Sequence, residues 1–253
     1  MTRHTGPVTT SDRRPAGPGL DLTAWLAAAQ VSDEIRALRP DYAALLITAD
    51  GLQPGPSDEA SGAILAAAEQ RAAGQLAGAR PEDLPHVAQW REAFRGFGAK
   101  PQRTRPSVEA LLRRLEPGLP RIDRITDVYN AVSVAFALPV GGEDLAHYAG
   151  PTRLVRAAGD EDFDTVADGQ PVVEHPEPGE VIWRDDRGVT CRRWNWRQCA
   201  RTRITATTTT AVFILDGLGA LGTGGLRAAA DELTESLARL SPQARFASRL
   251  IAS

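Results

Sequence analysis

The chain has 253 residues, 42% of them hydrophobic and 24% charged, with a formal net charge of −3. That length and apolar share suffice for a full buried core. The slightly acidic balance excludes a protein that holds nucleic acid through its overall field, so any RNA contact must come from a local basic patch.

Residues 1–19 are rich in Pro, Gly, Thr and Ser and carry almost no large apolar side chains, which predicts a disordered tail ahead of a single domain over residues 20–253. The N-terminus lacks the apolar segment of a secretion signal. No apolar run reaches the roughly 18 residues of a membrane span, so the expected protein is cytoplasmic, with no membrane contact.

A short strand is expected near Ala27–Val31, then a helix start at Ser32-Asp33-Glu34. Tyr42–Ala49, flanked by Pro40 and Asp50-Gly51, has the length and borders of a buried strand. An alanine-rich helical pattern runs from Ser57 to about Leu76, and Val87, Trp90 and Phe94 mark a helix over Pro85–Phe94. After Pro106, Ser107 is the expected N-cap of a helix whose apolar face is Val108, Leu111, Leu112 and Leu115. Asp123 to about Ala137 forms the next helix, and Gly141-Gly142 reads as a turn. Short β-branched runs follow at Thr152–Ala157, Gln170–Val173, Val181–Arg184, Val189–Arg193 and Ala211–Leu215, separated by Asp-Gly, Pro-Gly and Arg-Gly turns. Leu226–Leu240 closes the chain as an amphipathic helix. The predicted class is α+β, with helices packed on a mixed or antiparallel sheet.

Common catalytic templates are missing. The four histidines show no HExxH spacing, and there is no Gly-x-Ser-x-Gly elbow and no phosphate-binding glycine loop. Cys191 and Cys199 have a spacing that matches no common zinc motif and read as reduced thiols, so no metal and no cofactor are expected. His147 and His175 are either general bases or solvated loop residues.

Five candidate features remain. Lys100 is the sole lysine, followed by Arg103 and Arg105, a cluster able to hold a phosphate or carboxylate or simply to be solvated. Asp127 and Asn130 lie three apart on one helix, where the amide either faces a cleft or is a buried structural group. Gly141-Gly142 would allow close approach of a ligand to the backbone, or only turn the chain. Trp194-Asn195-Trp196-Arg197 either stacks a base or divides between core and surface. Glu180, after Pro178-Gly179, reads as a turn residue in preference to a site carboxylate.

In order along the chain, Gly98-Ala99-Lys100-Pro101, Arg105-Pro106-Ser107, Ile125–Asn130, Gly141–Leu145, Leu154–Ala157 with Gly159-Asp160-Glu161, and Pro178-Gly179-Glu180 resemble the tRNA-editing (B-three/four) domain of the phenylalanyl-tRNA synthetase beta subunit. The resemblance implies that domain's fold and a trans-acting aminoacyl-tRNA deacylase, with mischarged tRNA as partner and water attacking the ester without metal or covalent nucleophile. It implies that Asn130 and the Gly141-Gly142 backbone orient substrate, that Lys100 or Arg103 meets phosphate, and that Glu180 or Asp127 holds the ammonium. Arg105, Trp194 and Asn195 complete the expected substrate-binding set. The alternatives are a non-catalytic module binding tRNA or an amino acid, and a hydrolase of other small aminoacyl esters. The chain departs from the bacterial synthetase form, with Val140-Gly141-Gly142 in place of a histidine after the proline and Trp194-Asn195 near that form's Gly-Gly-Glu. Those catalytic residues are therefore not carried over.

Overall fold

The computed structural model describes residues 21–252, so the predicted tail lies outside them. Asp21 caps the first helix, its carboxylate accepting the backbone N–H groups of Thr23 and Ala24, and so α1 runs Leu22–Ala28. That cap overrides the expected strand from Ala27 and leaves only β1 at Gln30–Val31. There follow α2 (Asp33–Leu38), β2 (Ala43–Asp50), α3 (Glu59–Leu76), α4 (Pro85–Gly96), α5 (Ser107–Leu112) and α6 (Arg124–Phe136). The second half contains β3 (Val140–Asp144), β4 (Arg153–Arg156), β5 (Phe163–Ala167), β6 (Gln170–Glu174), β7 (Val181–Arg184), β8 (Val189–Arg192) and β9 (Arg197–Gln198). β10 (Thr210–Gly217), α7 (Gly222–Leu240) and β11 (Arg245–Ala252) complete the described chain.

The class is α+β as expected. One sheet is antiparallel with order β11-β2-β10-β3. A mixed sheet has order β1-β4-β7-β8-β9, with β1 parallel to β4, and β5-β6 forms a separate hairpin.

Alternation along the central strands sorts the core. Ala43, Leu45, Ile47, Phe213 and Leu215 pack against Ile125, Val128 and Val132 of α6 and Leu226, Leu233 and Leu237 of α7. Ala44, Leu46, Val212 and Ile214 face the other way, onto Trp25, Trp90, Trp183 and Trp194. Burying one such large side chain stabilises by about 1.5–3 kcal/mol, so each face of the sheet carries its own substantial core.

Three sequence expectations are corrected. Gly141-Gly142 lies inside β3, paired to Ile214 and Phe213 of β10, and is no turn. α7 does not close the chain: β11 follows it and pairs antiparallel along the whole of β2. Ser107 is not the cap of α5; Pro106 occupies that position, and its carbonyl accepts the Ala110 N–H at 3.1 Å. The predicted helices over 57–76, 85–94 and 123–137 match α3, α4 and α6 to within two residues at each end.

Candidate functional site

The two sheets meet around a cavity of about 250 Å³ between α5, α6, β3 and the β8–β9 hairpin. β10 supplies its floor. Within the run Val212 to Asp216, alternation places Val212, Ile214 and Asp216 on the same side as Glu143 of β3. Asp216 is 2% exposed and accepts a hydrogen bond from the Tyr42 hydroxyl at 2.6 Å, while the Asn195 amide nitrogen lies 3.5 Å from its other oxygen. Burial pushes the Asp216 carboxyl up to about 7, against the pull of the Tyr42 and Asn195 hydrogen bonds. Burial also raises Glu143, although the Tyr148 and Thr202 hydroxyls donate to it.

The hairpin tip forms one wall. Arg193 and Trp194 both have left-handed backbone, with φ of 47° and 67°, and Trp194 is driven fully inside. There its ring packs edge-on to Tyr42 and Trp90, with centroids 4.9 and 5.2 Å away. Asn195 follows on the cavity side. Its Oδ1 has no hydrogen-bond partner among the described residues, and neither has the Ser107 hydroxyl on the opposite wall.

Two further cavities adjoin. One of about 300 Å³ shares Ala110, Arg114 and Trp196 with the first and adds Arg103, Arg105 and Arg113. The other, of about 500 Å³, shares Arg103 and is bordered by Lys100, Thr104, Glu177, Glu180 and Arg193. Arg105 pairs with Glu109 at 3.6 Å, and Arg113 pairs with Glu82 and Glu109. Lys100, Arg103 and Arg114 have no ion-pair partner among the described residues, so their charge is available to an anion.

A family model described as "B3/4 domain" matches residues 89–224, more than half of the chain. The chain belongs to the B3/4 domain family. No curated protein matches it. Among solved structures, an N-terminal fragment of the phenylalanyl-tRNA synthetase beta-subunit from Pyrococcus horikoshii is similar at 10% identity and a TM-score of 0.46. The alignment covers 89% of this chain and 54% of that one, so the chain spans about half the fragment's length.

Within this B3/4 chain the expected site residues divide. Asn130, Gly141, Trp194 and Asn195 line the first cavity. Lys100 and Arg103 line the second, which shares Arg103 with the arginine-lined third but no lining residue with the first. Arg105 lies in that third cavity. Glu180 borders the second cavity, but both its oxygens are engaged by Arg192 and Arg193. Asp127 borders none of the three. Its carboxylate accepts from the Ser57 and Ser61 hydroxyls and from the Ile122 N–H, which ties the start of α6 to α3. Asp127 and Asn130 are thus not brought together, because α6 is buried nearly all round and a small angular offset sends them to different neighbours.

Gly142 faces away from the cavity. A Cβ there would sit 2.8 Å from a ring carbon of Tyr129, so the glycine is held by the packing of Tyr129 on β3. Gly142→Ala is expected to cost about 1–3 kcal/mol of stability through this overpacking, read as a lower urea midpoint at unchanged slope. A neutral result would mean that Tyr129 repacks freely. His147 and His175 are more than half exposed at their side chains and lie outside the first cavity. Buried His86 donates through Nδ1 to Ala137 O and accepts the Leu218 N–H at Nε2, an arrangement that requires the neutral ring with the proton on Nδ1.

Sequence reasoning missed Asp216, Glu143 as a cavity group, and Trp183. A signal for Asp216 existed: it is a carboxylate at the end of an otherwise apolar strand, Ala-Val-Phe-Ile-Leu-Asp. Such a charge is buried only with partners or for a use.

Proposed function

We propose that this chain is a trans-acting aminoacyl-tRNA deacylase that hydrolyses the ester of a mischarged tRNA. Membership in the B3/4 family, with its resemblance to the synthetase editing module, supports a tRNA-related role. The observation that carries the finer reading is the union of an indole-walled cavity holding buried carboxylates with adjoining cavities bordered by Lys100, Arg103 and Arg114, which have no acidic partner among the described residues. The cavity suits an aminoacyl group and the cations suit the phosphates of the strand that bears it.

In this reading Asn130 and the Gly141 backbone orient the acyl group, and Lys100, Arg103 and Arg114 meet phosphate. Glu143, more basic than an ordinary carboxylate because it is buried, takes a proton from a water as the water oxygen bonds to the ester carbonyl carbon. The tetrahedral intermediate then expels the ribose oxygen, which receives that proton, leaving free amino acid and deacylated tRNA. An activated ester needs no more than orientation, carbonyl polarisation and one proton acceptor.

The test is a panel of correctly and incorrectly charged tRNAs for all amino acids, followed by release of labelled amino acid. Release from at least one mischarged species, well above spontaneous hydrolysis, is expected. A panel with no release overturns the hydrolase reading, and protection of an ester from hydrolysis would instead mark a binding module.

A further inference from the structure

Glu143 is 1% exposed, and both hydrogen bonds to its carboxylate fall on the same oxygen. The Tyr148 hydroxyl donates to Oε2, and the fully buried Thr202 hydroxyl donates to Oε2 at 3.0 Å. A third buried hydroxyl, that of Thr190, stands 3.4 Å from the Tyr148 oxygen. Oε1 is left to the cavity that Glu143 lines.

Segments tied to the end of β3 deliver both donors. Asp144, the last residue of that strand, accepts the Ala146 N–H at 2.9 Å and so starts the 3-10 turn Leu145–His147 that leads into Tyr148. The Tyr148 ring is then seated edge-on to Trp25, with centroids 5.4 Å apart. Asp144 also donates its own N–H to the Thr202 carbonyl at 2.7 Å, and Glu143 is bridged to Arg203, which fixes Thr202 beside the carboxylate.

A hydroxyl has one proton to give. With the Thr202 proton directed at Glu143, the Thr202 oxygen is free to take the Cys199 thiol proton, whose sulfur lies 3.2 Å away. Protonating Oε2 would require both buried donors to turn away and forfeit a charged hydrogen bond each. We propose that Tyr148 and Thr202 are positioning residues for Glu143, which by holding Oε2 confine the exchanged proton to Oε1 at the cavity wall and make that one oxygen both its acceptor and its donor. The proposal rests on the reading of Glu143 as the proton acceptor. As the water oxygen bonds to the carbonyl carbon, its proton passes to Oε1; as the bond from that carbon to the ribose oxygen breaks, the same proton passes to the ribose oxygen.

The pH dependence follows from the same contacts. The other titratable groups around Glu143 are Tyr129 of α6, Asp185 after β7, Cys191 of β8, Cys199 after β9 and Asp216 of β10, and the cavity also carries Arg114 and Arg197. Burial raises Tyr129, Tyr148 and both thiols, so all four stay neutral near pH 7. Asp185 is paired with Arg201 at 2.8 Å. Asp216, raised to about 7 by burial, is held by Tyr42 and touched by neither hydroxyl, so an acid limb due to Asp216 would not respond to them. Burial raises Glu143, and the hydroxyls that donate to its ionised form pull it back down. Removing one must raise it further, so the reactive carboxylate is lost on acidification at a higher pH.

The experiment compares the unaltered protein with Tyr148→Phe, Thr202→Val and Thr202→Ser. The Glu143 carboxyl is titrated by carbon-13 NMR on protein labelled at glutamate Cδ, its signal assigned by its loss in Glu143→Gln, and deacylation of the fastest substrate of the panel is followed across the acid limb. Tyr148→Phe and Thr202→Val are each expected to move the Glu143 midpoint and the acid limb of kcat upward together, by about 1–2 on the pH scale. On the plateau kcat should fall by about 10-fold to 100-fold with KM little changed, since a swinging carboxylate is misplaced for the water and not for the ester. Thr202→Ser restores a hydroxyl and should bring midpoint and limb back. In the unaltered protein the Tyr148 Cζ signal should move with the Glu143 midpoint, a readout that needs no variant and so survives any folding defect. A Glu143 midpoint that neither deletion moves, or a Tyr148 signal indifferent to it, overturns the proposal and leaves the hydrolase reading to stand on its own panel. Shifted midpoints in a protein that releases no amino acid overturn the hydrolase reading and leave the hold on Glu143 in place.

Discussion

Glu180→Ala is expected to destabilise the protein by about 3–5 kcal/mol, the usual cost of stripping one partner from a buried ion pair. Glu180 is 4% exposed and takes two hydrogen bonds of 2.9 Å from the Arg192 guanidinium. It also accepts the Arg193 backbone N–H at 3.2 Å, so a single carboxylate fastens the end of β8 and the start of its hairpin. Alanine leaves Arg192, itself buried, with only half-exposed Glu174 at 3.0 Å. Urea unfolding measures the loss. A change below about 1 kcal/mol would show that water or Glu174 replaces the pair, and would reopen Glu180 as a group kept for chemistry.

Glu143→Gln is expected to lower the deacylation rate constant by about 10²-fold to 10⁴-fold, the range for removing a positioned proton acceptor. The fold should survive, because glutamine keeps the shape and an oxygen for the Tyr148 and Thr202 hydroxyls that Glu143 now accepts. The pH dependence carries a sign. Burial raises Glu143, so the active carboxylate form is lost on acidification at a higher pH than for an ordinary glutamate. The wild-type rate should therefore fall on the acid side starting above the usual carboxylate range, and this limb should vanish in Glu143→Gln. An unchanged rate and profile would remove Glu143 from the reaction.

Much of the framework was legible in the sequence. The helices over Ser57–Leu76, Pro85–Phe94 and Asp123–Ala137 and the strands at Val181–Arg184 and Ala211–Leu215 follow from apolar period and flanking turn residues. β3 was not legible, because Val-Gly-Gly-Glu-Asp has almost no strand-forming residues. Its glycines fit neighbours distant in sequence: a Cβ on Gly142 would meet the Tyr129 ring at 2.8 Å, and one on Gly141 the flexible Gln198 amide at 3.1 Å. β11 hides for a related reason: it is an edge strand whose pairing with β2 is a long-range event, and its arginines mask the alternation.

The site was half legible. Asn130, Gly141, Trp194 and Asn195 do converge, yet the lysine that stood out in composition borders a neighbouring cavity. Spacing along a helix could not tell that Asp127 is used as an anchor to α3, since three residues of separation mean adjacency only on a helix with one open face.

The hairpin tip at Arg193-Trp194 has a consequence of its own. Two successive L-residues in left-handed conformation cost about 1–2 kcal/mol each, and glycine would relieve that cost. Glycine would also remove the partition. Arg193 turns its charge into the cation-bordered cavity, Trp194 fills the space between, and Asn195 turns to the carboxylates. The strained corner thus sets the cations Lys100 and Arg103 and the carboxyl groups of Asp216 and Glu143 in different cavities.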